Sequence, residues 1–391
     1  MAVATFIERG ISGVPPFSSI EAARCALEAK RTGKPENLYF RDGTLALARL
    51  EAHVGTLMGV EGKDVVLYNT GMSAVVDALE IAGPSRDTVT LYPEQFYSQI
   101  GRYVENVLRD QRGARVAMVD TGSPTSVSSA IRRMNPDIVF FETVTNGQDM
   151  PVLDTEELFA EVAALEKKPL IILDNTLATP TGLPLAKRIK DLPFPVIVVE
   201  SGTKFYALNQ DIFGIATTNN QDILAKLRGR RQMIGSLTPP STVRTVEQVI
   251  LPTKEEFDRR NKVIFRNTLA LAKACAEVGE ETGKFAVFHP NLPSHPNFKL
   301  AQRLFPDGAS PVFYIQSMGF NDEDQYAMAQ ALWDNPTVRE LCELGQSFGF
   351  PKTRIWFDPS YSAVRVSGGL ETPEQMEILT TAFKEGLRKF Q

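Results

Sequence analysis

Cysteine and histidine are scarce in this sequence, and each scarcity argues against a class of protein or site. Three cysteines and three histidines, none in paired spacing, argue against a disulfide framework and exclude a histidine-rich metal site. No apolar run reaches the length of a membrane span, and the N-terminus lacks a signal-peptide pattern. We therefore expect a cytoplasmic protein with reduced thiols, no metal and no membrane partner.

Charge of one sign is not concentrated anywhere in the chain. The formal net charge is −5 and 23% of the residues are charged. Without a basic block or a basic–aromatic repeat, nucleic acid is not an expected partner. What the sequence does have is 391 residues that are 43% hydrophobic, enough for a large core in two or three domains.

Short apolar segments alternate with helical patterns through the first two thirds of the chain. Such alternation predicts parallel strands covered by helices on both faces. Ligands bind at the carboxyl ends of the strands in such sheets, so we expect functional residues just after each strand. The predicted strands are "DVVLYNT", "DTVTLYP", "RVAMVD", "DIVFFETV", "PLIILDNT" and "FPVIVVES".

The pattern changes beyond about residue 240. A long helical segment precedes four strand-like segments, "FAVFHP", "SPVFYIQSMG", "TRIWF" and "SAVRVSGG", and further helices. This texture predicts a smaller α+β domain. We expect an N-terminal arm over 1–50, a large ligand-binding domain over 51–240 and a C-terminal α+β domain over 241–391.

Two strand ends carry side chains with complementary chemistry. Asp174 ends one apolar strand, and Lys204 follows the next strand along the chain. If the strands are neighbours, the carboxylate and the amine face one crevice, which is what pyridoxal phosphate (PLP) needs. A lysine forms the Schiff base, and an aspartate keeps the pyridine nitrogen protonated. The alternative for Asp174 is an ordinary loop cap.

A phosphate also needs a cradle of N–H and O–H donors. Thr70, Gly71 and Met72 form a strand-to-helix turn whose backbone N–H groups and helix dipole would favour an anion. Ser201 and Thr203 would add hydroxyl groups. A turn of this kind alone is also an ordinary βα connection, so the prediction rests on all these residues lying at successive strand ends.

Three further residues have alternative interpretations. Tyr97 stacks on a cofactor ring or packs in the core. Asn146 contacts the ring or is a turn residue before Gly147. Arg365 lies in a strand-like segment, where its charge needs an anion: either a substrate carboxylate or Glu371.

Seven segments in order resemble one family, the trans-sulfuration or Cys/Met-metabolism PLP enzymes, which include cystathionine γ-synthase, cystathionine γ-lyase, methionine γ-lyase and O-acetylhomoserine sulfhydrylase. The resemblance runs, with gaps, from about residue 36 to the C-terminus. The segments are "YFRDGTLALARLEAHVGTLMG", "NTGMSAV", "FFETVTNGQDMPVLD", "LDNTLATP", "SGTKF", "HPNLPSHPNFKLAQRLF" and "RVSGGLE", with "QSFG" as a shorter match.

This resemblance implies a fold and a set of roles. The fold is the fold-type I, aminotransferase-like architecture: a mostly parallel seven-stranded sheet between helices, plus the smaller domain. Lys204 becomes the Schiff-base lysine, and Asp174 the partner of the ring nitrogen. The phosphate-binding set becomes Thr70, Gly71, Met72, Ser201 and Thr203, and the ring-contacting set Tyr97 and Asn146.

The resemblance also implies a substrate site and a shared active site. Arg365 and Ser347 would bind the substrate carboxylate. Tyr39 and Arg41 would reach the phosphate of a neighbouring subunit, so that a homodimer or homotetramer shares its active sites.

The departures from the family lie in parts that face the substrate. Asn209 stands where relatives carry histidine, Gly147 replaces a proline, and Gln99 lies where methionine γ-lyases carry a reactive cysteine. Phe96 competes with Tyr97 for the stacking position. The stretch before Arg365 is also shorter than usual.

These observations predict a PLP enzyme that acts at the γ-carbon of a small amino-acid substrate. It would eliminate or replace a γ-substituent of a homoserine-derived or similar substrate, and the nucleophile need not be sulfur. The alternatives are β-elimination from cystathionine or cysteine, and a paralogue that binds PLP without catalysis.

Overall fold

A computed structural model describes residues 44–308, 310–319 and 321–390. Its centre is a seven-stranded sheet in the order β1-β7-β6-β5-β4-β2-β3, and a second, five-stranded sheet has the order β10-β11-β12-β9-β8. The strands of the large sheet are β1 Val65–Tyr68, β2 Val89–Pro93, β3 Arg115–Val119, β4 Ile138–Glu142, β5 Leu170–Asp174, β6 Val196–Ser201 and β7 Gly214–Thr218.

The large sheet is parallel except at β7, which runs antiparallel to both β1 and β6. Its strands are short and apolar on both faces. Along β1, Val65 and Leu67 face one hydrophobic cluster, whereas Val66 and Tyr68 face another. Because successive side chains in a strand point to opposite faces, a continuous apolar run is what a sheet covered on both sides requires.

Helices cover the two faces of this sheet, and a 29-residue helix leads from it towards the second sheet. The helices are α1 Leu45–Met58, α2 Gly71–Ile81, α3 Ser98–Tyr103, α4 Pro124–Met134, α5 Thr155–Ala164, α6 Thr179–Gly182, α7 Leu185–Arg188, α8 Gly202–Phe205, α9 Gln221–Ile234, α10 Pro240–Val249, α11 Lys254–Thr282, α12 Phe298–Leu304, α13 Asp322–Trp333, α14 Pro336–Leu341 and α15 Pro373–Arg388. A π-type turn, Val104–Gln111, continues α3, and a 3₁₀ turn, Gly62–Asp64, precedes β1.

The second sheet is mostly antiparallel. It contains β8 Phe285–Phe288, β9 Val312–Ser317, β10 Glu343–Leu344, β11 Arg354–Asp358 and β12 Ala363–Ser367. Its apolar face packs, together with α11 and α15, into a cluster of its own. Such a separate core defines a smaller α+β domain.

The fold class predicted from the sequence is confirmed, and so are the six predicted strands of the large sheet. The alternation missed β7, because its sequence "GIATT" is short and only the one-turn helix α8 separates it from β6. Tyr39 and Arg41 lie outside the described residues. The domain boundaries at 50 and 240 stay a prediction. No helix in the described part of the chain combines the length and the apolar character that a bilayer span needs.

A buried polar network supports the carboxyl ends of β5 and β6. The Glu200 carboxyl group accepts hydrogen bonds from the Tyr206 hydroxyl at 2.7 Å and from the Asn175 side-chain amide at 3.0 Å. Burial raises the pKa of Glu200 to about 8, and the two hydrogen bonds, which lower the pKa, offset only part of this effect. Glu200 is therefore mostly protonated near neutral pH.

This raised pKa predicts that the folded state loses stability as the pH rises. The folded protein keeps the Glu200 proton up to about pH 8, whereas the unfolded chain releases it near the ordinary value of 4.5. The stabilisation is therefore full below pH 4.5 and is lost as the pH rises through 8. Glu200→Gln mimics the protonated acid, so its advantage in unfolding free energy over the wild type should grow between about pH 5 and about pH 9, by at least ~1 kcal/mol.

Chemical denaturation at several pH values measures this difference. Exposed Glu166 offers a matched control, because Glu166→Gln makes the same substitution at the surface, away from the buried network. Parallel curves for Glu200→Gln and the wild type would contradict the account of Glu200.

Candidate functional site

The carboxyl ends of the large sheet open into a cavity of about 360 Å³. Strand β5 lies between β4 and β6 in the sheet, so the residues that follow these strands come together. Within the described residues, the cavity gathers every site residue expected from the sequence. These are Thr70, Gly71, Met72, Tyr97, Asn146, Asp174, Ser201, Thr203, Lys204, Ser347 and Arg365.

Lys204 lies on the one-turn helix α8 that follows β6. Its Nζ donates a hydrogen bond to the Ser347 hydroxyl at 2.8 Å and lies 5.6 Å from the centre of the Phe348 ring. Burial, with the nearby charges of Arg365 and Arg354, lowers the pKa of Lys204 to about 8. An amine with this pKa is partly neutral near physiological pH and can act as a nucleophile or as a base.

Asp174 and Glu142 form a pair of neighbouring carboxyl groups. The parallel register of β4 and β5 places the two residues directly opposite each other. Burial raises the pKa of both, and the adjacent Asp174 raises that of Glu142 further. The Asp174 carboxylate accepts from the Thr176 backbone N–H at 2.8 Å, and no lysine, arginine or histidine of the described residues forms an ion pair with it. A ligand with a cationic N–H would supply an ion-pair partner for Asp174.

The turn at Gly71 forms the opposite wall of the cavity. Thr70 caps α2 by accepting from the Ser73 backbone N–H at 2.9 Å, which leaves the first N–H groups of the helix directed at the cavity end. A Cβ at Gly71 would lie 3.3 Å from Ser201, and one at Gly214 would lie 2.1 Å from the Thr70 carbonyl oxygen. The two glycines therefore let the helix N-terminus approach Ser201 closely enough to form one anion cradle.

The structure distinguishes between the two aromatic candidates. Tyr97 lines the cavity and is 43% exposed. Phe96 instead packs against Tyr92, with 5.5 Å between ring centroids, and against Gly101. Of the two candidates, only Tyr97 belongs to the cavity lining.

Arg365 enters the cavity from the second sheet. It is only 6% exposed, and its Nε has no hydrogen-bond partner. Glu371, the alternative partner, instead accepts from the backbone N–H groups of Thr353 and Gly369. Arg365 is therefore a buried guanidinium group without an ion pair among the described residues, and an anionic ligand would supply its counter-charge.

Sequence reasoning missed several cavity residues. Glu142 accepts from the backbone N–H groups of Tyr97 at 2.9 Å and Asn146 at 2.6 Å. The Tyr361 hydroxyl lies 2.6 Å from the Asn146 carbonyl oxygen. Glu142 ends the strand "DIVFFE" just as Asp174 ends "LIILD", so the strand-end rule could have found it. Tyr361 lies in a loop without such a pattern.

Two of the departures from the family lie in different surroundings. Asn209 contacts Ser347 and Lys204 through hydrogen bonds, so it belongs to the surroundings of the lysine. Gln99 is exposed on α3 and is not part of the cavity lining.

These residues fit PLP by their donors and charges. An amine, a carboxylate without a cation, an anion cradle and an accessible aromatic ring surround one cavity, and they match the aldehyde, ring nitrogen, phosphate and ring face of that molecule. The buried Arg365 remains for a carboxylate of a second ligand. Metal-binding clusters of three or more His, Cys, Asp or Glu side chains do not occur in the described residues.

Several characterised proteins are similar to this chain. An L-methionine gamma-lyase of Fusobacterium nucleatum subsp. polymorphum is 25% identical over 372 residues, covering 90% of this chain and 86% of the relative. A cystathionine gamma-lyase of Rattus norvegicus is 24% identical over 360 residues, covering 89% and 85%. These relatives match the chain along most of their length.

Solved structures show the same fold. Cystathionine gamma synthase from Xanthomonas oryzae pv. oryzae, in complex with aminoacrylate and cysteine, superposes with a TM-score of 0.73 at 20% identity, covering 90% of this chain and 88% of that one. The same synthase in complex with cystathionine gives 0.73 at 21% identity, covering 92% and 90%.

A family model identifies the protein family of the chain as a whole. The model described as Cys/Met metabolism PLP-dependent enzyme matches residues 16–357, which include the whole large sheet and most of the cavity. With the fold, the cavity and the relatives in agreement, the chain belongs to the Cys/Met metabolism family of PLP-dependent enzymes.

Proposed function

We propose that this enzyme eliminates or replaces a substituent at the γ-carbon of an amino acid. The observation that supports the proposal is the position of Lys204, a partly neutral amine in the same cavity as a carboxylate without a cation and an arginine without an ion pair. Reaction at the γ-carbon requires one group that moves protons at several substrate carbons in turn, and a mobile lysine serves that need.

The cavity residues divide into cofactor-holding and substrate-holding sets. Lys204 would bind the aldehyde group of the cofactor. Asp174 would accept a hydrogen bond from the N–H of the cofactor ring, and Tyr97 would cover that ring. Thr70, Gly71, Met72, Ser201 and Thr203 would bind the phosphate, and Asn146 the ring edge. When bound, PLP supplies an electron sink that makes the protons on the α- and β-carbons of the substrate acidic.

Lys204 would also act as the base and acid that moves protons at the substrate carbons. A pKa of about 8 lets the side chain accept a proton from the α-carbon and release it again near neutral pH. Arg365 and Ser347 would hold the substrate carboxylate, and this fixes the α-carbon within reach of the amine. Tyr97 would contact the leaving group as well as the ring.

The rest of the lining supports a substrate with a polar substituent. Gln346, Asp358 and Ser360 lie on the side of the second sheet, with Ile212 at the other side. A γ-substituted amino acid derived from homoserine fits this mixture, and the nucleophile need not be sulfur. β-Elimination from cystathionine or cysteine is the alternative reaction at the same residues.

We further propose that the enzyme works in the cytoplasm as a homodimer or homotetramer. Tyr39 and Arg41, by their resemblance to the family motif, would complete the phosphate site of a neighbouring subunit. The half-exposed Tyr97 and Ile212 at the cavity are compatible with a subunit that covers them.

A substrate screen tests the proposed reaction. We expect O-acetylhomoserine or another γ-substituted amino acid to change the absorbance of the PLP-loaded enzyme and to yield a 2-oxo acid or a γ-replacement product, identified by mass spectrometry. Turnover of cystathionine or cysteine with pyruvate as the only 2-oxo acid would replace the proposal by β-elimination. An absorbance spectrum that no amino acid changes would indicate a non-catalytic protein.

Arg365→Lys tests the carboxylate site. Lysine keeps the charge but cannot form the bidentate pair with a carboxylate, so we expect kcat/KM to fall by about 10–100-fold, mostly through KM. Arg303→Lys is a matched control, because Arg303 is exposed and pairs with Asp154 and Glu156 away from the cavity. Unchanged kinetics in Arg365→Lys would remove Arg365 from the substrate site.

A further inference from the structure

The loop that follows Lys204 has a strained backbone at one particular point. Leu208 and Asn209 have φ angles of 50° and 60°, a left-handed conformation that costs energy for residues other than glycine and that Asn tolerates best. Backbone N–H of Asn209 donates to the Thr203 carbonyl oxygen at 2.8 Å. The conformation turns the Asn209 side chain back towards the segment that carries Ser347.

The Asn209 amide group holds this segment at two points. Its Oδ1 accepts from the Ser347 hydroxyl at 3.2 Å, and its Nδ2 donates to the Phe348 carbonyl oxygen at 2.9 Å. The same Nδ2 lies 3.4 Å from the Lys204 carbonyl oxygen. One side chain therefore connects the helix of Lys204 to the segment that contacts its amine.

The direction of the Ser347 hydroxyl follows from this contact. A hydroxyl group has one proton to donate. Since Ser347 donates that proton to Asn209, its lone pairs are left to accept from Lys204 Nζ, which lies at 2.8 Å. The Phe348 ring lies 5.6 Å from Lys204 Nζ and 5.5 Å from Arg365 Cζ.

We propose that Asn209 is a positioning residue for the reaction: through Ser347 it fixes the Lys204 amine beside the place where Arg365 holds the substrate carboxylate. The amide does not titrate, so the direction of the hydroxyl is the same at every working pH. This inference rests on the proposed function for the identity of the carboxylate, but the contact between Asn209, Ser347 and Lys204 does not depend on any substrate.

Two substitutions of Asn209 separate its two hydrogen bonds. Asn209→Gly removes both and tolerates the left-handed backbone. Asn209→Asp keeps the acceptor for Ser347, loses the donor to Phe348 and adds a negative charge near Lys204. Gln210→Ala is the control, since Gln210 is the exposed neighbour in the same loop.

The readout is the pKa of Lys204 in the full-length protein without cofactor, measured by the pH dependence of its acetylation and located by mass spectrometry. Without Asn209 the hydroxyl is free to turn away and stabilises the ammonium less, so Asn209→Gly should lower the pKa of Lys204 by about half a unit. Asn209→Asp should raise it. Gln210→Ala should leave it unchanged.

A double-mutant cycle shows whether Asn209 acts through Ser347. In the Ser347→Ala background, Asn209→Gly should cause little further shift of the Lys204 pKa. In the PLP-loaded enzyme we expect Asn209→Gly to reduce kcat by about tenfold, with KM and the unfolding temperature changed far less.

Two results would overturn the proposal. One is a Lys204 pKa that Asn209→Gly does not move. The other is an Asn209→Gly shift that persists in full when Ser347 is absent. Because acetylation needs no substrate, failure of the proposed reaction would leave this test intact. If Asn209→Gly does not fold, Asn209→Asp supplies the test through the same cycle, since a shift that Ser347→Ala leaves unchanged would come from the added charge alone and would overturn the proposal.

Discussion

The site depends on one electrostatic constraint, the carboxylate of Asp174 at the end of a buried parallel strand. The group accepts a backbone hydrogen bond from Thr176, lies opposite Glu142, and has no ion pair among the described residues. Burial raises its pKa, which is the cost of ionising a carboxyl group away from water and cations. A ligand with a cationic N–H removes that cost, so the cavity favours the binding of such a ligand.

The neighbouring residues hold the other contacts in place before any ligand arrives. Glu142 holds the backbone of Tyr97 and of Asn146, and Thr176 accepts from the Ser201 backbone N–H at 2.8 Å. The bond to Tyr97 joins the ends of β2 and β4, and the bond from Ser201 to Thr176 joins the ends of β6 and β5. Preorganisation of this kind lowers the cost of ordering the loops when a ligand binds.

The sequence was informative wherever chemistry coincides with a strand end. Asp174 and Lys204 follow continuous apolar strands, and adjacency of β5 and β6 brings them together as expected. Contacts between distant segments could not be predicted from the sequence. Tyr361 contacts Asn146, which lies 215 positions earlier in the chain, and no local pattern encodes such a contact. Asn209 stood out only as a departure from a motif, because its role comes from a left-handed backbone and from Ser347, 138 positions away.

The most direct test of the account is the site at which PLP attaches. Borohydride reduction of the PLP-loaded protein, followed by proteolysis and mass spectrometry, fixes the cofactor to the lysine that holds it. The account predicts the modification on Lys204, in the peptide that contains "SGTKF", and its loss in Lys204→Ala. Modification of a different lysine, or undiminished covalent labelling of Lys204→Ala, would contradict it.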